Sequence, residues 1–195
     1  MVIQHNIAAN NAYRNLSSNA SNGQKNLEKL SSGYRINRSA DDAAGLAISE
    51  QMRSKINGLD QATSNANDAI GLIQTAEGAL TETHSMLQRM VTLATQSANG
   101  TYNSTARGAI AEEVDALQKE INRIASTTDY NGVKPLSQTN TITVQIGPTA
   151  GEKLEVATAA MSTTALGIDA ISVSSTTKAN AAITKINTAI NTVST

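Results

Sequence analysis

The first 130 residues of this chain contain no proline, the residue that most strongly interrupts a helix. The two prolines that do occur, Pro135 and Pro148, both lie within residues 131–171. Nothing in the first 130 residues therefore forces a break, and helices can run well beyond the roughly 11 to 12 residues of an average helix. The feature predicts a mainly α protein built on long helices.

The first predicted helix starts near Ala9 and ends near residues 31–33, where Gly33 can adopt the left-handed conformation that closes a helix. Apolar or small residues recur in it at alternating steps of four and three, the spacing of one helix face. They are Ala9, Tyr13, Leu16, Ala20, Gly23, Leu27, Leu30 and Tyr34.

A second apolar set lies seven residues apart and predicts one helix over residues 41–98, roughly 85 Å long at 1.5 Å per residue. Its members are Met52, Leu59, Ala66, Ile73, Leu80, Leu87 and Ala94. Ser39 is the predicted cap, and Asp41 and Asp42 would stand in the first turn, where carboxylates complement the helix dipole. The competing interpretation, a cation bound by these two acids, has less support from such adjacent positions.

A third helix is predicted over residues 104–127, with Ile110, Val114, Leu117, Ile121 and Ile124 on one face. The connection before it is short, so it folds back antiparallel to the second helix. Within residues 137–171 the apolar residues alternate over residues 142–156, which predicts a β-hairpin. A helical stripe then resumes at Ala179, Ile183, Ile186, Ile190 and Val193. The predicted fold class is mainly α, a long antiparallel helical hairpin or coiled-coil rod with a small β-hairpin. Because the last stripe runs to Thr195 without a stop signal, we expect the chain to be a fragment.

The apolar residues are almost all small or aliphatic, with no Phe, Trp or Cys among 195 residues. We therefore expect a thin core between closely packed helices and no disulfides. A net charge of -1 argues against nucleic acid as a partner, and no segment has the length and apolarity of a membrane span or a cleaved signal peptide.

Catalytic and metal-binding patterns are missing from the sequence. Its two histidines, His5 and His84, lack metal-ligand spacing, and no Gly-x-Ser-x-Gly elbow is present. We expect no enzyme activity, no metal and no cofactor.

Several segments closely resemble the conserved N-terminal region of bacterial flagellins. The resemblance covers residues 1–136 and rests on segments 5–9, 26–38 (NLEKLSSGYRINR), 41–49 (DDAAGLAIS), 73–80, 87–89, 96–101 and 130–134. Residues 172–194 are similar to the start of the C-terminal flagellin helix. Flagellins build the flagellar filament, and a hook-filament junction protein of the same superfamily is the neighbouring alternative.

The resemblance implies a domain layout for the chain. Residues 1–40 would form an inner-tube helix and spoke, residues 41–136 an outer-tube helical domain, residues 137–171 a hairpin in place of the variable region, and residues 172–195 a truncated outer-tube helix. It also implies export by the flagellar type III apparatus to an extracellular filament, with other flagellin subunits, an export chaperone and the filament cap as partners.

Two sets of site residues follow from the apolar stripes and the resemblance. The predicted self-assembly seam comprises Leu16, Leu27, Leu30, Met52, Leu59, Ile73, Leu80 and Leu87. By resemblance, the surface recognised by the vertebrate Toll-like receptor for flagellin comprises Gln88, Arg89, Leu93, Gln96 and Glu113. A truncated flagellin acting as a monomeric receptor ligand is therefore a second interpretation. By their chemistry alone, Leu93 would be one more seam residue, and Arg89 and Glu113 would form a solvated face.

Overall fold

A computed structural model of the protein describes residues 6–194, so the expectations that concern His5, the opening residues and Thr195 lie outside it. The described chain divides into two compact units, one up to Gly58 and the other from Leu59 onward. Its elements in order are α1 (Ile7–Ser32), α2 (Ala43–Ala98), α3 (Ser104–Thr127), β1 (Asn140–Gln145), β2 (Lys153–Thr158) and α4 (Thr176–Ser194). The predicted mainly α class with a small β-hairpin is confirmed.

In the first unit, α1 begins and ends at local capping signals. The Asn6 side chain accepts a hydrogen bond from the Ala9 backbone N–H at 3.1 Å, as an N-cap residue does. At the other end Gly33 has a φ of 71°, and its N–H donates to the Lys29 carbonyl at 3.0 Å. The predicted end at Gly33 is therefore confirmed. No residue of α1 is buried.

The predicted cap of α2 was wrong. The helix starts at Ala43, and the Asp42 carboxylate accepts a hydrogen bond from the Gly45 N–H at 2.9 Å, so Asp42 is the capping residue. Ser39 lies too far before the start of the helix to reach its first turn. The Asp41 carboxylate accepts a hydrogen bond from the Asn37 N–H at 3.4 Å. Asp42 is the N-cap because a carboxylate on the residue just before the first turn can accept a hydrogen bond from that turn.

The predicted long second helix is confirmed, since α2 runs unbroken for 56 residues and contributes to both units. In the second unit, α3 folds back antiparallel to α2 after a connection at residues 99–103. Asn103 caps α3 by accepting from the Ala106 N–H at 2.8 Å. The bounds of α3 coincide with the prediction.

Arg107 fixes the corner where α2 ends and α4 begins. Its Nε donates to the Ser97 carbonyl at 3.0 Å, and its Nη2 donates to the Asn99 carbonyl at 3.0 Å and to Thr176 Oγ1 at 3.2 Å. The guanidinium thus satisfies carbonyls at the end of α2, which have no partner inside the helix, and its positive charge complements the helix dipole there.

The core of the second unit is aliphatic, as the composition predicted. Its largest fully buried side chains are Leu87, Met90, Leu93, Ile121, Ile168 and Ile186, supplied by α2, α3, α4 and the segment before α4. The hairpin pairs β1 with β2 antiparallel, with Ile142 opposite Val156 and Val144 opposite Leu154. Asn65 of α2 ties it down by donating from Nδ2 to the Gln145 carbonyl at 2.9 Å.

The irregular segment over residues 159–175 also contributes to this core, which the periodicity of the sequence did not predict. It buries Met161, Leu166, Ile168, Ile171 and Val173. Polar contacts hold it: Gln118 Nε2 donates to the Ile168 carbonyl at 2.5 Å, and Ser97 Oγ donates to the Val173 carbonyl. The expectation that residues 137–171 hold only a hairpin was therefore incomplete.

The buried face of α2 differs in phase from the predicted seven-residue set. A buried series also repeats every seven residues but lies three positions later, at Ala62, Ala69, Thr83, Met90 and Ser97, with Ala76 of the same series half-buried. Members of the predicted set are buried only toward the end of the helix, at Leu87 and Ala94. The reason is tertiary: the face that α3, α4 and residues 159–175 cover is set by where those elements dock.

We expect the two kinds of aliphatic residue to respond oppositely to truncation. Ile186→Ala should lower the free energy of unfolding by about 2 to 5 kcal/mol, because it leaves a cavity in the core. The matched change Leu30→Ala, at a residue that is 85% exposed, should lower it by less than about 0.5 kcal/mol. Urea denaturation followed by circular dichroism measures both, and equal losses would contradict the assignment of the core.

Candidate functional site

The first unit exposes large apolar side chains on both of its helices. On α1 these are Ile7, Tyr13, Leu16, Leu27 and Leu30, and on α2 they are Ile48, Met52 and Ile56. We call the α2 group the first-unit stripe. Its members stand four residues apart, so they follow one another along one side of the helix. Single exposed hydrophobes are ordinary on a protein surface, but a row of them marks an interaction surface.

The second unit continues the pattern on its part of α2. Leu59, Ile70 and Ile73, which we call the second-unit stripe, are 51%, 51% and 43% exposed. The same helix buries Leu72 on the side that faces the rest of the unit. This part of α2 therefore carries apolar residues on a covered side and on an uncovered side.

Six of the eight predicted seam residues lie on exposed surface: Leu16, Leu27, Leu30, Met52, Leu59 and Ile73. Leu80 is half-buried against the core, and Leu87 is fully buried within it. Leu87 offers no surface to another molecule in this fold, because α3 and α4 pack over that end of α2. The self-assembly prediction thus depends on the exposed six.

Sequence reasoning missed Ile48, Ile56 and Ile70 as members of the exposed surface. Their spacing of four from Met52 was a readable signal for the first two. The seven-residue rule selects one line of positions along a helix, whereas the exposed band is wider than one line.

The predicted receptor surface is a polar patch across α2 and α3 with one buried member. Arg89 reaches from α2 to Glu113 of α3, with its Nε and Nη2 at 2.8 Å and 2.7 Å from Glu113 Oε1. Gln88 and Gln96 are exposed on the same helix as Arg89, and Gln96 Nε2 donates to the Tyr102 hydroxyl at 2.9 Å.

Leu93 does not belong to the exposed part of this patch. It is 1% exposed and lies in the core cluster with Val114. A contribution from Leu93 to recognition would act through the packing of α2 against α3, which positions Arg89 and Glu113.

The charged groups elsewhere form exposed pairs. Glu28 hydrogen-bonds the Arg38 guanidinium at 2.9 Å and raises the pKa of Arg38. On α3, the hydrogen bond from Arg123 lowers the pKa of Glu120. Both pKa shifts favour the charged forms that already prevail at neutral pH. These pairs therefore lie on the surface as ordinary ion pairs and do not adjust the pKa of a reactive group.

A groove of about 400 Å³ lies between α2 and the apolar face of the hairpin. Its ionisable lining residues are Asp68 and Tyr130. One carboxylate without a second acid or a histidine makes no acid-base pair. Within residues 6–194 no cluster of three metal-ligating side chains occurs, and no helix is long and apolar enough to cross a bilayer.

Comparison with known proteins places this geometry in one family. The family described as "Bacterial flagellin N-terminal helical region" matches residues 3–141, which is more than half of the chain. Flagellin from Clostridium tyrobutyricum is 64% identical over 136 residues, covering 70% of this chain and 36% of that protein. Flagellin from Bacillus subtilis is 50% identical over 182 residues, covering 86% and 60%.

The fold agrees with this sequence relationship. The crystal structure of Bacillus cereus flagellin superposes with a TM-score of 0.59 at 32% identity, covering 66% of this chain and 75% of that one. The chain spans about a third of the length of the Clostridium tyrobutyricum flagellin and about three fifths of the Bacillus subtilis one.

We expect the Arg89–Glu113 pair to contribute little to stability, because both side chains are about half exposed. A double-mutant cycle with Arg89→Ala and Glu113→Ala should give a coupling free energy below about 1 kcal/mol, decreasing further near 1 M salt. Urea denaturation of the four proteins measures it. A coupling above about 2 kcal/mol would show that the pair is a structural clamp rather than an available surface.

Proposed function

Since this chain belongs to the bacterial flagellin family, we propose that it is a structural subunit of the flagellar filament, which assembles by packing its exposed helical stripes against other copies. The observation that carries the proposal is the exposure of Leu16, Leu27, Leu30, Met52 and Leu59, each more than half exposed. The comparable apolar residues Leu87 and Ile186 are fully buried where α2, α3 and α4 pack together.

Magnitudes decide how many of these residues must take part. Full burial of one such side chain contributes about 1.5 to 3 kcal/mol relative to full exposure, and these are already partly covered, so about 1 kcal/mol each remains. Association of two proteins costs an estimated 4 to 15 kcal/mol in lost freedom. One or two side chains cannot offset this cost, whereas the stripes of both units together are of the right order.

The stripes also suit an open assembly. The apolar surface of α1 and the exposed stripe of α2 lie on different helices, so a subunit can present one of them to a neighbour that presents the other. Heterologous contacts of this kind generate an open helical filament when the rotation between neighbouring copies does not close into a ring.

Flagellins are structural proteins, and we propose that this chain has no catalytic activity. We further propose the family's route: export through the flagellar type III apparatus to the extracellular filament, with an export chaperone, the filament cap and other flagellin subunits as partners. The high identity to flagellins favours this assignment over a hook-filament junction protein.

A second candidate function is recognition by the vertebrate Toll-like receptor for flagellin. The observation that favours it is the exposed charged pair Arg89–Glu113, flanked by the exposed side chains Gln88 and Gln96. A guanidinium at the surface of a helix pair can exchange its carboxylate partner for one on another protein with little loss.

We expect self-association to depend on the stripes. In ammonium sulfate, which strengthens apolar burial, the chain should form large species by sedimentation velocity. The double variant Leu16→Gln and Leu59→Gln should associate at least about tenfold more weakly, a difference of about 1.4 kcal/mol, because glutamine keeps helix propensity and removes apolar area.

The matched control is Asn67→Gln, a polar change at an exposed position of the same helix. Melting temperatures of both variants should stay near that of the parent, since no core residue changes. If the double variant associates as strongly as the parent, the stripes are not the contact surface.

For receptor recognition, Arg89→Ala should reduce the response of reporter cells carrying the receptor by about tenfold, as expected for loss of one charge-assisted contact. Arg123→Ala, which removes an exposed arginine paired with Glu120 on α3, is the control and should leave the response unchanged. Equal responses from the parent and Arg89→Ala would contradict the assignment of this surface.

A further inference from the structure

The dipeptide Asn-Gly occurs four times in the sequence, at residues 22–23, 57–58, 99–100 and 131–132. In this pair the asparagine side chain readily loses ammonia, because glycine has no Cβ to keep its own nitrogen away from that side chain. All four asparagines are exposed, so exposure does not distinguish them. The hydrogen bonds of the four glycine N–H groups do.

Three of these glycine N–H groups are engaged as donors. Gly23 and Gly58 lie inside α1 and α2, where each N–H donates to the carbonyl four residues earlier. The Gly132 N–H donates to the Asp129 carboxylate at 3.0 Å. A nitrogen whose proton is held by an acceptor, above all by a negatively charged one, loses that proton slowly.

The fourth pair, Asn99 and Gly100, follows the end of α2 and is arranged differently. The Gly100 N–H makes no hydrogen bond to any residue in the described range 6–194. The Asn99 side chain is folded forward along the chain, since its Oδ1 accepts from the Thr101 N–H at 3.3 Å. Arg107 Nη2 donates to the main-chain carbonyl of Asn99 at 3.0 Å. Both carbonyl oxygens of Asn99 therefore have a donor, while the nitrogen of Gly100 remains available to react.

We propose that Asn99 is a site of spontaneous modification, at which attack by the Gly100 nitrogen converts the asparagine into isoaspartate and the Arg107 guanidinium promotes the reaction. Water is the co-reactant, and ammonia is the leaving group. The reaction takes place within a single chain, so this inference does not depend on filament assembly.

The first step closes a ring without any change in oxidation state. Hydroxide removes the Gly100 N–H proton, and the nitrogen attacks the side-chain carbon Cγ of Asn99. The Cγ–Nδ2 bond then breaks, and Nδ2 gains a proton from water and leaves as ammonia. The product is a cyclic imide in which the Gly100 nitrogen is bonded to both carbonyl carbons of residue 99.

The second step opens the ring by hydrolysis. Water adds to one imide carbonyl, the bond from that carbon to the Gly100 nitrogen breaks, and the nitrogen regains a proton. Addition at the side-chain carbonyl gives aspartate. Addition at the main-chain carbonyl gives isoaspartate, in which the chain continues through Cγ and the former main-chain carbonyl becomes a free carboxylate.

Arg107 acts in both steps because it contacts the main-chain oxygen of Asn99. Removal of the amide proton places negative charge on that oxygen, and the guanidinium stabilises this charge as the donors of an oxyanion hole do. In the imide, the same contact polarises the main-chain carbonyl and favours addition of water there. The new carboxylate then lies beside the guanidinium and accepts a charge-assisted hydrogen bond. The contact therefore favours isoaspartate over aspartate.

Site selectivity is measured by mass spectrometry, since trypsin places the four asparagines in separate fragments, residues 15–25, 56–89, 90–107 and 124–153. The native chain is incubated at mildly alkaline pH and digested briefly in slightly acidic buffer. Asn99 should lose ammonia at least about tenfold faster than Asn131, which also lies in an exposed turn. In the urea-unfolded chain the two rates should agree to within about threefold. Equal rates in the native chain would overturn the proposal.

The variant Gly100→Ala tests the ring closure. A Cβ at this position meets no atom within 4 Å, so the melting temperature should stay near that of the parent. The added methyl group hinders the approach of the nitrogen to Cγ and should slow the reaction at Asn99 at least about tenfold. Gly78→Ala, inside α2, also meets no atom within 4 Å and is the matched control that should leave the rate unchanged. Reaction of Gly100→Ala at the parent rate would contradict the cyclic route.

The variant Arg107→Gln tests the guanidinium. It should slow the reaction at Asn99 at least about threefold, as expected for loss of one charge-assisted hydrogen bond. It should also raise the aspartate fraction of the product, which chromatography of the fragment separates from isoaspartate. Arg107→Lys keeps the charge and should restore part of both effects, and Arg123→Gln, at an exposed arginine of α3, should change neither. A purely structural role of Arg107 would not alter the product ratio. An unchanged ratio, or a rate in Arg107→Gln that equals or exceeds that of the parent, would overturn the role of Arg107.

Discussion

The structure depends on how the apolar sides of α2 are covered. Toward its end, α3, α4 and residues 159–175 surround the helix, and Leu87, Met90 and Leu93 lose contact with water. Around Met52 and Leu59 the helix keeps large aliphatic side chains exposed. Since apolar area removed from water is the dominant favourable term in folding and association, the first region stabilises the chain and the second favours contact with other molecules.

The absence of Phe and Trp suits a core formed between long, closely packed helices. Leucine, isoleucine and alanine let long helices approach closely, and they supply most of the buried core. Such a core leaves the outer sides of its helices available for further packing. A chain with this composition gains stability by adding helices alongside its own, and copies of itself carry helices of matching character.

Much of the fold was readable from local signals. Gly33 closes α1 through its own backbone conformation, so the end of that helix followed from a short stretch of sequence, and α3 followed from the four-three spacing of its apolar residues. The buried face of α2 could not be predicted, because a seven-residue repeat does not show which element of the fold covers the helix. Residues 159–175 have no period at all, so the burial of Ile168 became visible only in three dimensions. The same holds for Leu93, whose placement depends on where α3 docks.

The central claim is that the exposed stripe on α2 becomes covered when copies assemble. The chain contains no cysteine, so a single Leu59→Cys variant carries one thiol, with Glu82→Cys at an exposed polar position as its reference. The decisive measurement is the rate of thiol alkylation in the free and the assembled states. The account predicts that assembly slows alkylation at position 59 by at least about tenfold, the scale of protection that closing a site by 1.4 kcal/mol provides, and leaves position 82 unchanged. Equal alkylation rates at position 59 in both states would contradict it.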